Sequence, residues 1–126
     1  MRVETKKDTR ARGRWAERVA RDFLRARGLE PMHENYNFRG GEIDLIMRDG
    51  DTIVFVEVRY RNNSDFGNGA ESITARKQKR VIATAMHYLQ HTDDHAHPPC
   101  RFDVIAVSDD MHRYDVEWIP DAFDAG

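Results

Sequence analysis

Two carboxylates, Asp44 and Glu57, stand inside the otherwise apolar runs "GEIDLIM" and "TIVFVEVRY". Taking an ionised carboxyl out of water costs several kcal/mol even after relaxation, about as much as a small domain has in total stability. A compensating partner is therefore expected. Two acids at the edge of a covered layer repel one another and raise at least one pKa unless a cation neutralises them. A hard divalent ion, Mg²⁺ or Mn²⁺, held by oxygen ligands and retained waters, meets that need. Exposed acids paired with Arg39, Arg59 or Arg61 are the simpler alternative.

The spacing between the acids sets their geometry. Asp49-Gly50 separates two runs rich in β-branched residues, a strong hairpin signal. As the two central turn residues they place position 48 opposite 51, Asp44 opposite Phe55, and Glu42 opposite Glu57. Asp44, Glu57 and Arg59 then project from one face, with the two acids a diagonal pair about 7–8 Å apart or somewhat less. Ile43, Leu45, Met47, Val54, Val56 and Val58 form the other face, which is core. Ile46, Ile53 and Phe55 make the acid-bearing face half apolar, so both strands are central and covered on both sides.

Other elements must hold this hairpin. From Gly13 to Arg27, the apolar Trp15, Ala16, Val19, Ala20, Phe23 and Leu24 fall on two adjacent rows of an amphipathic helix, and Gly28 is placed to end it. Tyr36 and Phe38 alternate in a short strand closed by Gly40-Gly41. Thr74 caps a second helix running to about Gln90, with Val81, Ile82, Ala85, Tyr88 and Leu89 as its stripe. The segments "RFDVIAV" and "YDVEWI" read as two further strands. Residues 1–12 lack periodicity and are expected as a mobile basic arm, with 13–126 as one domain. The order of elements gives an α/β sandwich around a mixed sheet.

At 126 residues the chain suits one domain with its own core, and its single cysteine, Cys100, makes no internal disulfide. No signal peptide or apolar run of spanning length is evident, so a cytoplasmic protein without membrane insertion is expected. The formal charge of -2 conceals blocks: +6 over residues 1–28, -5 over 29–58, +4 over 59–80 and -7 over 90–126. Two basic blocks around an acidic centre suit a polyanion, with nucleic acid, DNA first, as the expected partner; basic and acidic faces that pair with each other or with water are the alternative. Arg12, Arg14, Arg18, Arg21, Arg61, Arg76, Lys79 and Arg80 are the candidates for backbone phosphates. Such contacts position a duplex without reading its sequence. Lys77 and Gln78 begin the second helix, and either is placed to enter the site from that end, with a solvated basic first turn as the alternative reading of "RKQKR".

The succession "GEIDLI" then "VFVEVRYR" is similar to the Asp…Glu-x-Lys core of the PD-(D/E)xK nucleases, especially the archaeal-type Holliday junction resolvases. From "GRWAERVARDFL" to "VEWIPDAF" the chain resembles the YraN-like family of bacterial proteins. The resemblance implies a restriction-endonuclease-like αβββαβ core, with helices flanking a mixed central sheet, and metal-dependent phosphodiester hydrolysis. It implies Asp44, Glu57 and the Val58 carbonyl as metal ligands, and Glu17 as the helix-borne acid of the resolvase branch. A solvated Glu17 paired with Arg21 is the alternative. Arg59 stands where the nuclease motif has lysine; a guanidinium clamps phosphate but is a poor base, and Lys77 is the compensating candidate. By analogy with the resolvases, a homodimer is the expected assembly.

Two other readings remain open at this level. A catalytically degenerate nucleic-acid-binding module of the same fold accounts for Arg59. A zinc site built from His91, His95, His97 and Cys100 in "HTDDHAHPPC" is the other, although zinc signatures usually carry tighter Cys/His pairs. Cys100, next to a strand, is expected as a small buried residue. Asp103 either joins the site as a further acid or caps the solvent side of its strand.

Overall fold

The computed structural model describes residues 6–62, 73–92, 98–109 and 113–125. Its elements are α1 (Lys6–Ala26), β1 (Glu30–Phe38), β2 (Gly41–Asp49), β3 (Thr52–Asn62), α2 (Ala75–Gln90), β4 (Cys100–Asp109) and β5 (Tyr114–Phe123). The strands form one sheet in the order β1-β2-β3-β4-β5. β3 and β4 run parallel, joined through α2, and the other neighbours are antiparallel. The fold is thus mixed α/β with the αβββαβ order, and β5 is added at one edge. Most of the loop before α2 and the centre of the histidine-rich loop lie outside the described residues.

The first helix begins at Lys6, so residues 6–12 form its opening turns instead of a mobile arm. Lys, Arg and Ala are good helix formers and need no apolar stripe where a helix extends beyond the sheet. Farther along, Ala16, Ala20 and Leu24 pack on Leu45, Met47, Val54, Val56, Ile105 and Val107. On the opposite face Val81, Ala85 and Tyr88 of α2 pack on Ile46, Ile53, Phe55 and Phe102. β3 and β4 are consequently buried on both sides.

The hairpin turn is shifted from the sequence expectation. Asp49 pairs with Thr52 and Leu45 with Val56, so Gly50 and Asp51 are the central residues. Gly50 has φ 59°, while neither Asp49 nor Asp51 takes a positive φ. A turn centred on Asp49-Gly50 would need both residues left-handed, whereas type II′ needs glycine only at its first central position. The shift preserves parity, and a further step beyond Leu45 and Val56 brings Asp44 opposite Glu57.

Strict alternation fails there. Leu45 packs on the α1 side, but Ile43, expected beside it, packs on the α2 side. The paired strand is irregular at the same level, where Asn35 lies between the pairs Glu34↔Leu45 and Tyr36↔Ile43 with φ 53°. Asparagine tolerates this conformation better than most residues.

Phe38 pairs with Gly41 across Arg39 and Gly40, whose φ values of 47° and 80° fit a type I′ turn. Gly41 then lets β2 approach α2 closely: a Cβ there would collide with Thr84 Oγ1 and meet the Arg80 carbonyl at 3.2 Å. Gly41→Ala is expected to destabilise the protein by about 1–3 kcal/mol, the range for overpacking. Urea melts should show this loss while Gly13→Ala, inside α1 where added carbon meets nothing within 4 Å, should hold stability or gain up to about 1 kcal/mol. Equal stability of the two variants would refute the close approach.

Candidate active site

The irregular step at Asp44, the middle of β3 and the first turns of α2 enclose a cleft of about 360 Å³. Glu42, Asp44, Glu57, Lys77 and Arg80 line it. Thr74 caps α2 by accepting the Lys77 backbone N–H at 3.1 Å, fixing the helix start at the mouth of the cleft. Lys77 Nζ then reaches Glu57 Oε2 at 3.1 Å. Gln78, the other candidate from this turn, instead donates to the Ile73 carbonyl at 3.1 Å and stays outside.

Glu57 is 2% exposed, and its Oε1 is buried with no hydrogen-bond partner among the described residues. Asp44 Oδ2 accepts the Val58 backbone N–H at 2.8 Å, so the acid bonds the strand opposite where regular pairing ends. Asp44 is partly covered as a residue, yet its carboxyl lies deep. Burial, then repulsion from Glu57, raises its pKa well above the aspartate range. Burial also raises Glu57, against the opposing pull of Lys77 and then Arg59. Arg59 is half-buried and shares Glu57's face.

Glu17 approaches from α1 through β1. With its amide nitrogen turned toward the acids, Asn35 donates to Glu42 Oε1 at 2.8 Å and Glu17 Oε1 at 3.3 Å. Burial raises the Glu17 pKa, and repulsion from Glu42 adds to it. Arg21 does not pair with Glu17; it bonds Glu34 at 2.9 Å and Asp22 at 3.3 Å. Asn35 and Glu42 are therefore site residues that charge patterning alone did not mark. The signals available were an Asn in a strand and the Glu-x-Asp spacing.

These raised values have a definite linkage sign. Between the ordinary carboxylate range and the raised pKa values the native protein holds more protons than the unfolded chain, so this cluster loses stability as pH rises through that interval. Asp44→Asn keeps an acceptor for Val58 and removes the charge. In chelator, the variant should gain melting temperature relative to wild type as pH rises from about 4 toward neutrality, by several degrees in all. A difference that stays constant with pH would exclude a raised Asp44.

A divalent ion fits this donor set in one form only. Among the described residues no three of His, Cys, Asp and Glu form a metal-holding group. Magnesium, however, commonly takes only one or two carboxylates, with waters and substrate phosphate completing the shell. The partnerless Glu57 oxygen beside Asp44 suits such a site. A zinc cage gains no comparable support: His91 Nδ1 donates to the His87 carbonyl at 2.9 Å, Cys100 is exposed and not buried as expected, and His95 and His97 lie outside the described residues.

Asp103 is the other buried acid, and it stands apart. Its carboxylate accepts Arg101 Nε at 3.1 and 3.3 Å, Trp118 Nε1 at 2.9 Å and the Asp121 backbone N–H at 2.9 Å. It pairs with Val56, whose side chain packs on the α1 side, so it faces away from Glu57. It is neither a third site acid nor a solvent-side cap.

The basic candidates divide similarly. Arg80 lines the cleft, with Arg76 and Lys79 exposed on the same turns. Arg14 and Arg18 are exposed on α1, across the sheet. Arg61 pairs with Glu117 at 3.7 Å, and Arg12 lies 6.0 Å from the centre of the Tyr60 ring.

The profile of the uncharacterised protein family UPF0102 matches residues 16–107, which contain the whole cleft. The chain belongs to this family. A UPF0102 protein of Nitrosococcus oceani is 47% identical over 114 residues, covering 90% of this chain and 92% of its own. Another, from Nitrosospira multiformis, is 50% identical over 115 residues, covering 91% and 94%. That of Cupriavidus taiwanensis is 52% identical over 116 residues, covering 91% and 84%. Coverage at this level makes the UPF0102 relatives similar along nearly the whole chain. Among the described residues, no helix is long and apolar enough to cross a membrane.

Proposed function

We propose that this UPF0102 protein is a metal-dependent nuclease of the cytoplasm that hydrolyses phosphodiester bonds of structured or nonspecific DNA. The observation that carries the reading is the buried, partnerless Oε1 of Glu57 beside Asp44, whose charge is disfavoured, in a cleft that Glu42 and the cations Lys77 and Arg80 also line. Asp44 and Glu57 would hold Mg²⁺ or Mn²⁺, with the Val58 carbonyl as a further ligand. Once bound, the ion supplies Lewis-acid polarisation of the scissile phosphate and a hydroxide nucleophile.

The protein's own groups do the rest. Lys77 holds Glu57 Oε2 in place and is within reach of a phosphate oxygen in the same cleft, where the start of α2 also favours negative charge. Arg59, permanently charged, steadies the negative charge carried by the equatorial oxygens of the pentacoordinate phosphorus. Glu17, tied through Asn35 at the rim, restrains Glu42 without entering the deepest part. Arg76, Lys79 and Arg80 grip backbone phosphates near the cleft.

A degenerate nucleic-acid-binding module is the second reading, favoured by Arg59 at the motif's lysine position and by the absence, among the described residues, of three His, Cys, Asp or Glu side chains placed to hold one ion. Labelled junction, flap and duplex DNA incubated with protein in Mg²⁺ or Mn²⁺ separates the two. Products that vanish on chelation support the nuclease. Salt-sensitive binding with no product on any substrate supports the binding module.

A further inference from the structure

Next to the carboxylate cleft, sharing Gly41 and Arg80 with it, lies a second cleft of about 260 Å³ that the nuclease chemistry does not use. Phe38 and Arg39 form one wall, and Arg80 and Ala83 of α2 the other. Phe38 is the end of a near-parallel column of rings. Its ring stacks on His87 at 3.7 Å and 14°, and His87 stacks on His91 at 4.0 Å and 25°. The Tyr36 hydroxyl lies 2.6 Å from His87 Nδ1 and holds the middle ring in place. Arg39, exposed and carried in a left-handed conformation by the turn, sets its guanidinium 5.1 Å from the Phe38 ring centre.

We infer that this second cleft binds an unpaired base of single-stranded nucleic acid, stacked on Phe38 and Arg39 while the adjoining phosphate enters the carboxylate cleft past Arg80. This rests on the nucleic-acid reading of that cleft. The ring spacing in the column is close to that of stacked bases, a ring or guanidinium face accepts any base, and two arginines suit the backbone that comes with it. A fully paired duplex keeps its bases inside the stack and offers nothing to this wall. The substrate class that follows is a strand with unpaired nucleotides, such as a flap, a gap or a junction arm.

The test measures binding in chelator, where no cleavage occurs, using a single strand carrying 2-aminopurine and a blunt duplex of equal length. The single strand should bind about tenfold tighter than the duplex and its fluorescence should be quenched. Phe38→Leu should weaken it about fivefold to a hundredfold, the span of base–aromatic stacking energies. Arg39→Gly suits the positive φ, so it should keep the melting temperature and still weaken single-strand binding. Equal affinity for the duplex, or unchanged affinity and quenching in Arg39→Gly and a folded Phe38→Leu, overturns the inference. Quenching by a wild-type protein that cleaves nothing would uphold the platform and reject the nuclease. Cleavage of flap and duplex alike, unaltered by either variant, would do the reverse.

Discussion

Asp44→Asn should lose Mn²⁺ binding and at least about a hundredfold in DNA cleavage while melting at the same temperature as wild type or a few degrees higher. The two effects share one cause. Asp44 is a carboxylate kept where its charge is unwelcome, buried and facing Glu57, with only the Val58 N–H, among the described residues, as a hydrogen-bond donor to it. The asparagine oxygen preserves that hydrogen bond. Removing the charge relieves repulsion in the ion-free protein but removes half of the carboxylate pair. Glu57→Gln should resemble it in activity and differ in stability, because Lys77 would lose its anionic partner. Calorimetric titration with Mn²⁺ and thermal melts of both variants check this. A variant that is clearly less stable, with cleavage retained, would show that Asp44 is a structural acid.

Asp103→Ala should cost about 3–5 kcal/mol, the range for breaking a buried charge pair, and lower the melting temperature by about 10 °C or more. Asp103 is fully buried, and its carboxylate ties β4 to β5 through Trp118 and the Asp121 backbone while holding Arg101 of its own strand. Its removal leaves two partly buried donors without their acceptor and weakens the hold on β5, while Arg101 keeps Asp49 at 3.1 Å. Mn²⁺ affinity of the folded fraction should not change, since the acid lies on the opposite face of the sheet from Glu57. Urea unfolding gives the first quantity and titration at low temperature the second. Loss of Mn²⁺ binding with stability intact would make Asp103 a site residue after all.

These two acids show what could be read from the chain and what could not. Both interrupt apolar strand runs in the sequence. The hairpin's parity was enough to place Asp44 and Glu57 together, because a shift in turn position from Asp49-Gly50 to Gly50-Asp51 leaves side-chain faces unchanged. Their direct opposition was not legible, because it follows from that shift, which turns a diagonal pair into a facing one. The break at Asp44 and Asn35, which sends Ile43 to the α2 side, was not legible either, since a period-2 pattern does not encode a break in itself. Asp103's role depends on donors from a different strand, Trp118 and Asp121, whose pairing no local signal specifies. Helix α2 was legible through Thr74 and its stripe, yet the choice of Lys77 over Gln78 comes from the rotation of its first turn above Glu57. The start of α1 was missed because propensity without an apolar stripe leaves little trace in a periodicity reading.

The central claim is that Asp44 and Glu57 together bind a divalent ion, and crystals soaked in Mn²⁺ test it directly by anomalous scattering. The expected result is one manganese peak in contact with both carboxylates, with Lys77 Nζ moved from its 3.1 Å position against Glu57. An absence of any peak there at millimolar Mn²⁺, with the Lys77–Glu57 pair intact, would contradict it.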